Sequence, residues 1–413
     1  MPKIQPFDGF LISSEWAEKV VSPAYDSVSA EQRRNFADEN PENFINTMRL
    51  QEDYPEGAQP TQDQLLETNK QCLKALLNNG AFQAIEEPCL YIYQLGRGDH
   101  LQTGVVCEVA VEEYENGKLR KHENTRTSKE DLLARYQEVV GASSSPICLT
   151  YSQNVEIDNL ISEITRGKPD LDFLTDDNEL QRIWRVSDAA LLGRLQTLFE
   201  TIDATYLTDG HHRAASGRRY AEIMRAREGK NTGSEPYNQL LIALFPDNQL
   251  SLLPFHRCVR DSNGLTAEQL VTALERCFEV EKLGKARNFS SSQHGEFGMY
   301  VEDNWYRINV KPEFLDSDDP VNSLDVSLLQ NLVLDPILGI KDSRDDPRLG
   351  YIAGISGHVG ILQNYEQGWK VIFSCYPTSI RQLMNVADAD SLMPPKSTYF
   401  DPKPRSGIFV RLK

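Results

Sequence analysis

Basic charge is scarce in this chain. Its 413 residues carry 43 Lys and Arg against 61 Asp and Glu, a formal net charge of −18 at pH 7. That balance opposes binding to a nucleic-acid backbone unless a local basic face exists. No such face is written here: Arg218, Arg219 and Arg225 share one helical stretch that Glu222 interrupts. Long apolar runs are missing too, and nothing approaches the ~20 residues that span a bilayer. The opening Met-Pro-Lys-Ile-Gln-Pro-Phe lacks the apolar core of a secretory signal. The seven cysteines, at 72, 89, 107, 148, 258, 277 and 375, form no Cys-x-x-Cys pair, as expected of reduced thiols in a cytoplasmic protein. There is no Gly-x-Ser-x-Gly elbow, no His-Glu-x-x-His helix and no Gly-x-Gly-x-x-Gly turn, so three common catalytic or cofactor signatures are absent. The expectation is a cytoplasmic protein with neither nucleic acid nor membrane as partner; oligomeric state is not legible.

What is present reads as mixed α/β. The 40% hydrophobic share with 25% charged residues fits a globular chain, and its length predicts two domains. A boundary near residue 265 divides it into 1–265 and 266–413. Thr61 with Gln64, and Thr266 with Gln269, are capping boxes that open helices. Leu90–Tyr93, Thr103–Val109, Ile147–Thr150, Thr205–Thr208 and Gln239–Phe245 read as strands. Gly354–His358 reads as a flexible turn.

The most informative stretch is Asp209-Gly210-His211-His212-Arg213-Ala214-Ala215-Ser216. A strand that breaks at Asp-Gly and restarts as an Ala-rich helix leaves free backbone N–H groups at the turn. Such a helix N-terminus favours anions through its unpaired donors and its dipole. Arg213 adds a planar fork suited to phosphate oxygens, Asp209 is a candidate Mg²⁺ ligand, and two imidazoles stand beside it. The competing reading is structural: Asp-Gly is a common turn, and Asp209 then caps the helix. A cap explains neither the paired histidines nor the arginine.

A second constellation runs from Arg120 to Lys129. Ser128 with Asp131 resembles an N-cap followed by an acid in the first turn. The loop before it then feeds another helix N-terminus with Lys121, Thr125 and Arg126, and Glu123 stands among cations, ionised and able to accept a proton. The alternative is a solvated charged loop. Near the C-terminus, Lys396-Ser397-Thr398 resembles the end of a Walker loop, but prolines replace the glycines, so a P-loop is rejected. A basic, hydroxyl-bearing tail over an anionic ligand remains open there. Asp-x-His-His alone is too small for a hydrolytic zinc site, although His122 and His256 supply further ligands.

Four motifs in order, Ser-Pro-Ala-Tyr-Asp at 22–26, Lys121-His122-Glu123-x-Thr125, Asp209–Ser216 and Met393-Pro394-Pro395-Lys396-Ser397-Thr398, make the chain similar to domain-of-unknown-function family 1015. The Asp-Gly-His-His-Arg element also resembles the phosphate-binding turn of the ParB/sulfiredoxin-like fold, which includes free-serine kinases. The resemblance implies a ParB/sulfiredoxin-like catalytic core with additional N- and C-terminal α/β parts. It implies that Asp209, Gly210, His211, His212 and Arg213 hold donor phosphates and that Glu123 is the catalytic base. Sulfiredoxins need a Cys within the turn, where His211 or His212 stands instead, and the DNA-binding relatives bring basic charge that is lacking here. The implied activity is phosphorylation of free L-serine to O-phospho-L-serine with Mg²⁺, the donor being pyrophosphate, ADP or ATP. Lys121, Thr125, Arg126, Lys396, Ser397 and Thr398 complete the implied donor site. A metal-dependent phosphohydrolase and a non-catalytic phosphate- or nucleotide-binding regulator are the alternatives.

Overall fold

The computed structural model describes residues 3–23, 25, 28–285, 289–315 and 317–413. Within the Ser-Pro-Ala-Tyr-Asp motif, Ala24 and Asp26 lie outside the described residues, as do Ser27 and the first two residues of the opening segment. Tyr25 is described. Its hydroxyl donates to one carboxylate oxygen of Asp53, while Arg33 Nε donates to the other at 2.8 Å.

Two compact units emerge, Met1–Leu250 with Pro402–Lys413, and Ser251–Asp401. The division falls at Leu250, not near residue 265, because Phe255–Val259 is a strand of the second unit's sheet. The end of the chain rejoins the first unit because Phe409–Leu412 pairs with Phe7–Ile12.

The first unit holds strands β1 (Phe7–Ile12), β2 (Phe82–Arg97), β3 (His100–Ala110), β4 (Leu119–Arg120), β5 (Ala142–Ser143), β6 (Ile147–Tyr151), β7 (Leu171–Leu174), β8 (Leu180–Val186), β9 (Thr205–Asp209), β10 (Gln239–Pro246) and β11 (Phe409–Leu412). Among the described residues they form one sheet in the order β4-β9-β6-β10-β3-β2-β1-β11-β5, with β8 pairing both β2 and β7. Gln239–Pro246 is buried along its whole length, which is why its apolar residues run continuously instead of alternating. Helices α1 (Gln62–Asn78), α2 (Thr127–Val140) and α3 (His211–Glu228) belong to this unit. The Thr61/Gln64 capping box opens α1 as expected.

β11 lies between β1 and β5, and the segment leading into it carries a buried ionic cluster. Arg405 Nε donates to Glu179 at 2.6 Å, and its Nη2 donates to both oxygens of Asp177 at 2.8 and 2.6 Å. Burial raises the Glu179 pKa against the pull of Arg405 and Arg97. Cutting the chain after Asp401 therefore takes Arg405 away from Glu179 and Asp177, leaving Arg97 as their cation, and opens an edge at β1. Breaking a buried pair costs about 3–5 kcal/mol, so the first unit of the truncated chain melts roughly 10 °C or more lower in a calorimetric scan; an unchanged melt contradicts this assignment.

The second unit is built on six antiparallel strands in the order Phe278–Gly284, Asn304–Val310, Glu296–Val301, Val371–Ser374, Phe255–Val259 and Leu349–Ala353. Helix Ala267–Leu274 starts at the expected Thr266/Gln269 box and buries Leu270 and Leu274. The stretch read as a flexible turn is ordered: Gly354–Ser356 is a 3-10 turn, and Gly357–Glu366 is a helix. Its glycines masked the helical start, since glycine is a poor helix former. No helix among the described residues is long and apolar enough to cross a membrane. The mixed α/β class read from the sequence is the class observed.

Candidate active site

β4 and β9 are parallel neighbours, with Leu119 opposite Thr205 and Arg120 opposite Tyr206. Their carboxyl ends therefore point the same way, and the loops that leave them meet, the usual location of ligand sites in sheets with parallel strands. One loop, 121–126, enters α2; the other, the Asp-Gly turn, enters α3. The two helices are tied together by Arg219 Nε to Asp131 at 3.1 Å and by Gln137 Nε2 to Ser216 Oγ at 3.3 Å. Gly217 lets α3 lie close on β10, since a Cβ there would stand 2.4 Å from Leu240 Cδ2.

The cap reading of Asp209 does not hold. Gly210, in the left-handed region with φ +93°, is the N-cap of α3, and no side chain caps that end. Asp209 instead accepts from Arg213 Nη2 on one oxygen and from Lys403 Nζ, at 2.8 Å, on the other. Arg213 Nη1 donates to the carbonyls of Ser145 and Pro146 at 3.0 and 2.7 Å. Burial would raise the Asp209 pKa, but Lys403 and Arg213 outweigh it and hold the group at about 2. Asp209 and Arg213 thus brace the turn. The expected phosphate fork of Arg213 is engaged by Asp209 and two carbonyls, and the proposed Mg²⁺ ligand Asp209 has a cation on each oxygen. Mg²⁺ prefers open carboxylate and water oxygens, so this carboxylate is a poor fit for it.

A Gly210→Ala substitution tests the turn. Its Cβ would lie 3.0 Å from Arg213 Nε at a backbone angle that L-residues rarely adopt. The expected cost is ~1–3 kcal/mol, measured by urea unfolding, with activity falling as Arg213 is displaced; a neutral result contradicts the left-handed turn.

Helix α2 starts at Thr127 with Arg126 as its N-cap residue and again no side-chain cap. The expected cap Ser128 lies inside the helix. Thr125, read as a donor ligand, gives its hydroxyl to Glu130. The Arg126 backbone N–H donates to His212 Nε2 at 3.2 Å, which joins the two loops directly. Both helix starts therefore present leading amides without a capping side chain, the condition that makes an N-terminus an anion site.

Beside these amides sits a cluster that sequence reasoning only half anticipated. His122, read as part of the Lys-His-Glu motif and, with His256, as a further metal ligand, is 1% exposed, and His211 is 7% exposed. Their rings are perpendicular with centroids 4.5 Å apart. Neither nitrogen of His122 nor Nε2 of His211 reaches hydrogen-bonding geometry with a partner. Burial drives both imidazoles toward the neutral form: His211 falls to about 3, helped by His212, Arg213 and Lys121, and His122 lies well below its ordinary value. At His122 the neighbouring His211 adds to the lowering, while the Leu207 backbone and Asp209 oppose it. Glu123, half-buried, completes the group, with one ligand atom from each of His122, Glu123 and His211 all within 4.8 Å of one another.

The remaining site candidates stand in the second unit. Ser397 Oγ donates to the Pro394 carbonyl at 2.6 Å, its own carbonyl accepts from Thr378 at 3.1 Å, and the Lys396 ammonium lies 5.2 Å from the centre of the Phe255 ring. Thr398 is half-buried beside them. His256 also belongs to that unit, its Nδ1 accepting from the Cys375 amide at 3.1 Å. The tail residue that reaches the Asp-Gly turn is Lys403.

A family model described as "Protein of unknown function (DUF1015)" matches residues 4–327. Comparison with curated proteins gives no match. Among solved structures the chain is similar to a mutant free serine kinase in complex with ADP, at TM-score 0.36 and 12% identity, covering 74% of this chain and 92% of that one. It is also similar to C-terminally truncated SbnI from Staphylococcus aureus, at TM-score 0.38 and 12% identity over 74% and 86% of the two chains. A conserved hypothetical protein from Pyrococcus furiosus matches at TM-score 0.35 and 10% identity over 73% and 93%.

Proposed function

The chain belongs to the DUF1015 family of proteins of unknown function, and from that premise we propose that it is a small-molecule phosphotransferase acting on the hydroxyl of free L-serine. The observation that carries the reading is the meeting of two uncapped helix starts, α2 and α3, at the ends of the parallel strands β4 and β9. Leading amides of both helices, with Lys121 and Arg126 in the adjoining loop, suit the oxygens of a donor phosphate chain. Glu123 accepts the proton of the serine hydroxyl as its oxygen attacks the terminal phosphorus. The bond from phosphorus to the bridging oxygen breaks, and the leaving phosphate or nucleotide carries away that electron pair. Such transfer rests on positioning and charge compensation. The neutral His211 imidazole offers an N–H donor to the transferring group, His212 ties the two loops together through the Arg126 amide, and Asp209 and Arg213 fix the turn that places them. A bound divalent cation would neutralise part of the donor's charge.

The donor is pyrophosphate, ADP or ATP; a site built of amides, imidazoles and lysine favours pyrophosphate, which needs no base pocket. The cluster of His122, Glu123 and His211 keeps a metal-dependent phosphohydrolase as the second reading. An acceptor panel of serine, threonine, homoserine and glycerol, run with each donor and read by mass spectrometry, separates the two. The kinase gives phosphoserine from one donor and little donor turnover without acceptor. Phosphate release that ignores the acceptor overturns it in favour of the hydrolase.

A further inference from the structure

We propose that His122, Glu123 and His211 form a binding site for one divalent transition-metal ion of the Zn²⁺, Co²⁺ or Mn²⁺ class. The inference goes beyond the phosphotransfer reading, because it stands on the donor set whatever the acceptor is. Two imidazoles and one carboxylate are a three-ligand set that leaves positions open for water or substrate oxygens. Imidazole nitrogen selects Zn²⁺, Co²⁺ or Mn²⁺ in preference to Mg²⁺, which takes oxygen ligands.

Geometry supports the assignment from two directions. The ligand atoms come from separate elements, the loop after β4 and the first residue of α3, yet all lie within 4.8 Å of one another. Nitrogen and oxygen ligands of one tetrahedral Zn²⁺ ion stand ~3.3–3.5 Å apart, so the set closes on an ion once its atoms draw together by up to ~1.5 Å. Both nitrogens of His122 and Nε2 of His211 are also buried without partners at hydrogen-bonding geometry, whereas buried polar atoms are ordinarily paired. A cation between His122 and His211 would take one nitrogen from each ring. Asp209 is not part of the set, since Arg213 and Lys403 occupy its oxygens.

The test is titration of the tag-free, chelator-stripped full chain with Co²⁺ alone, followed by visible absorption. One equivalent is expected to bind and to resist an excess of Mg²⁺. Roughly 100-fold weaker binding is expected in His211→Asn and His122→Ala, and at least ~10-fold weaker in Glu123→Gln. Circular dichroism checks folding, and if His122→Ala does not fold, the other two variants decide. Absence of stoichiometric binding overturns the proposal, as does binding unchanged in the folded variants or a thiolate-to-cobalt charge-transfer band from the cysteines. The two readings fail separately. Phosphoserine formed with Mg²⁺ by a protein that ignores Co²⁺ removes the metal site and leaves the kinase, while tight Co²⁺ binding without phosphotransfer does the reverse.

Discussion

Glu123→Gln lowers phosphoserine formation by ~10²–10⁴-fold, the span that positioned general bases supply. The amide keeps the size and shape of the side chain but cannot take up the hydroxyl proton. Glu123 lies half-buried in the loop between β4 and α2, next to the buried His122 and with a carboxylate oxygen within 4.8 Å of a His211 nitrogen. The substitution therefore acts at the junction of the two loops without opening a cavity, and the melting temperature is expected to stay within a few degrees of the parent. Steady-state rates with saturating serine and donor, beside a thermal melt, check both halves. A rate within tenfold of the parent means that Glu123 is not the base, as a phosphate-binding regulator would predict.

Asp209→Ala is expected to be the most damaging single change to the site's framework. The side chain is 13% exposed and its partner Lys403 11%, so solvent screens the arrangement little. Removing the carboxylate leaves Arg213 and Lys403 facing one another without an anion, and breaking a buried pair in this way costs about 3–5 kcal/mol. Urea unfolding measures it; a loss under ~1 kcal/mol would mean that the turn is held by other contacts. The pH dependence has the same sign for the two residues, a loss as pH falls, but different windows. The Asp209 pKa is held at about 2, so its contribution is full above the ordinary value of 3.8 and disappears as pH falls through 2. His211 is held at about 3 against an ordinary 6.5. The unfolded chain therefore takes up that proton first, and stability declines as pH falls from 6.5 toward 3. Metal-free protein should begin to lose stability near pH 6, well above the carboxylate range. His211→Asn should lessen the slope of that part of the curve, with His122 supplying the remainder, and leave the steeper loss below pH 4.

Much of this was legible in the sequence because local signals agreed with the fold. The capping boxes at Thr61 and Thr266, the apolar run Gln239–Phe245 and the strand-to-helix break at Asp209-Gly210 each rest on neighbours a few residues apart. Ser128 misled because the first turn of α2 meets His212 through the Arg126 amide, a contact 86 positions away. Arg213 misled for a related reason: its partners Ser145 and Pro146 sit on the approach to β6, and only the pairing of β6 with β9 brings them near. Lys403 reaches Asp209 because β11 returns the chain to the first sheet, and no short motif encodes such a return. The His122–His211 pair was hidden likewise, since it depends on the parallel register of β4 with β9. What the sequence conceals is long-range pairing.

The measurement that tests the central claim most directly is a phosphorus NMR time course of the purified chain with L-serine and a divalent cation. It is run separately with pyrophosphate, ADP and ATP, and repeated without serine. The account predicts a growing phosphoserine resonance with one donor, matched by loss of that donor, and near silence when serine is left out. No phosphoserine with any donor, whether the donors stay intact or are hydrolysed alone, would contradict it.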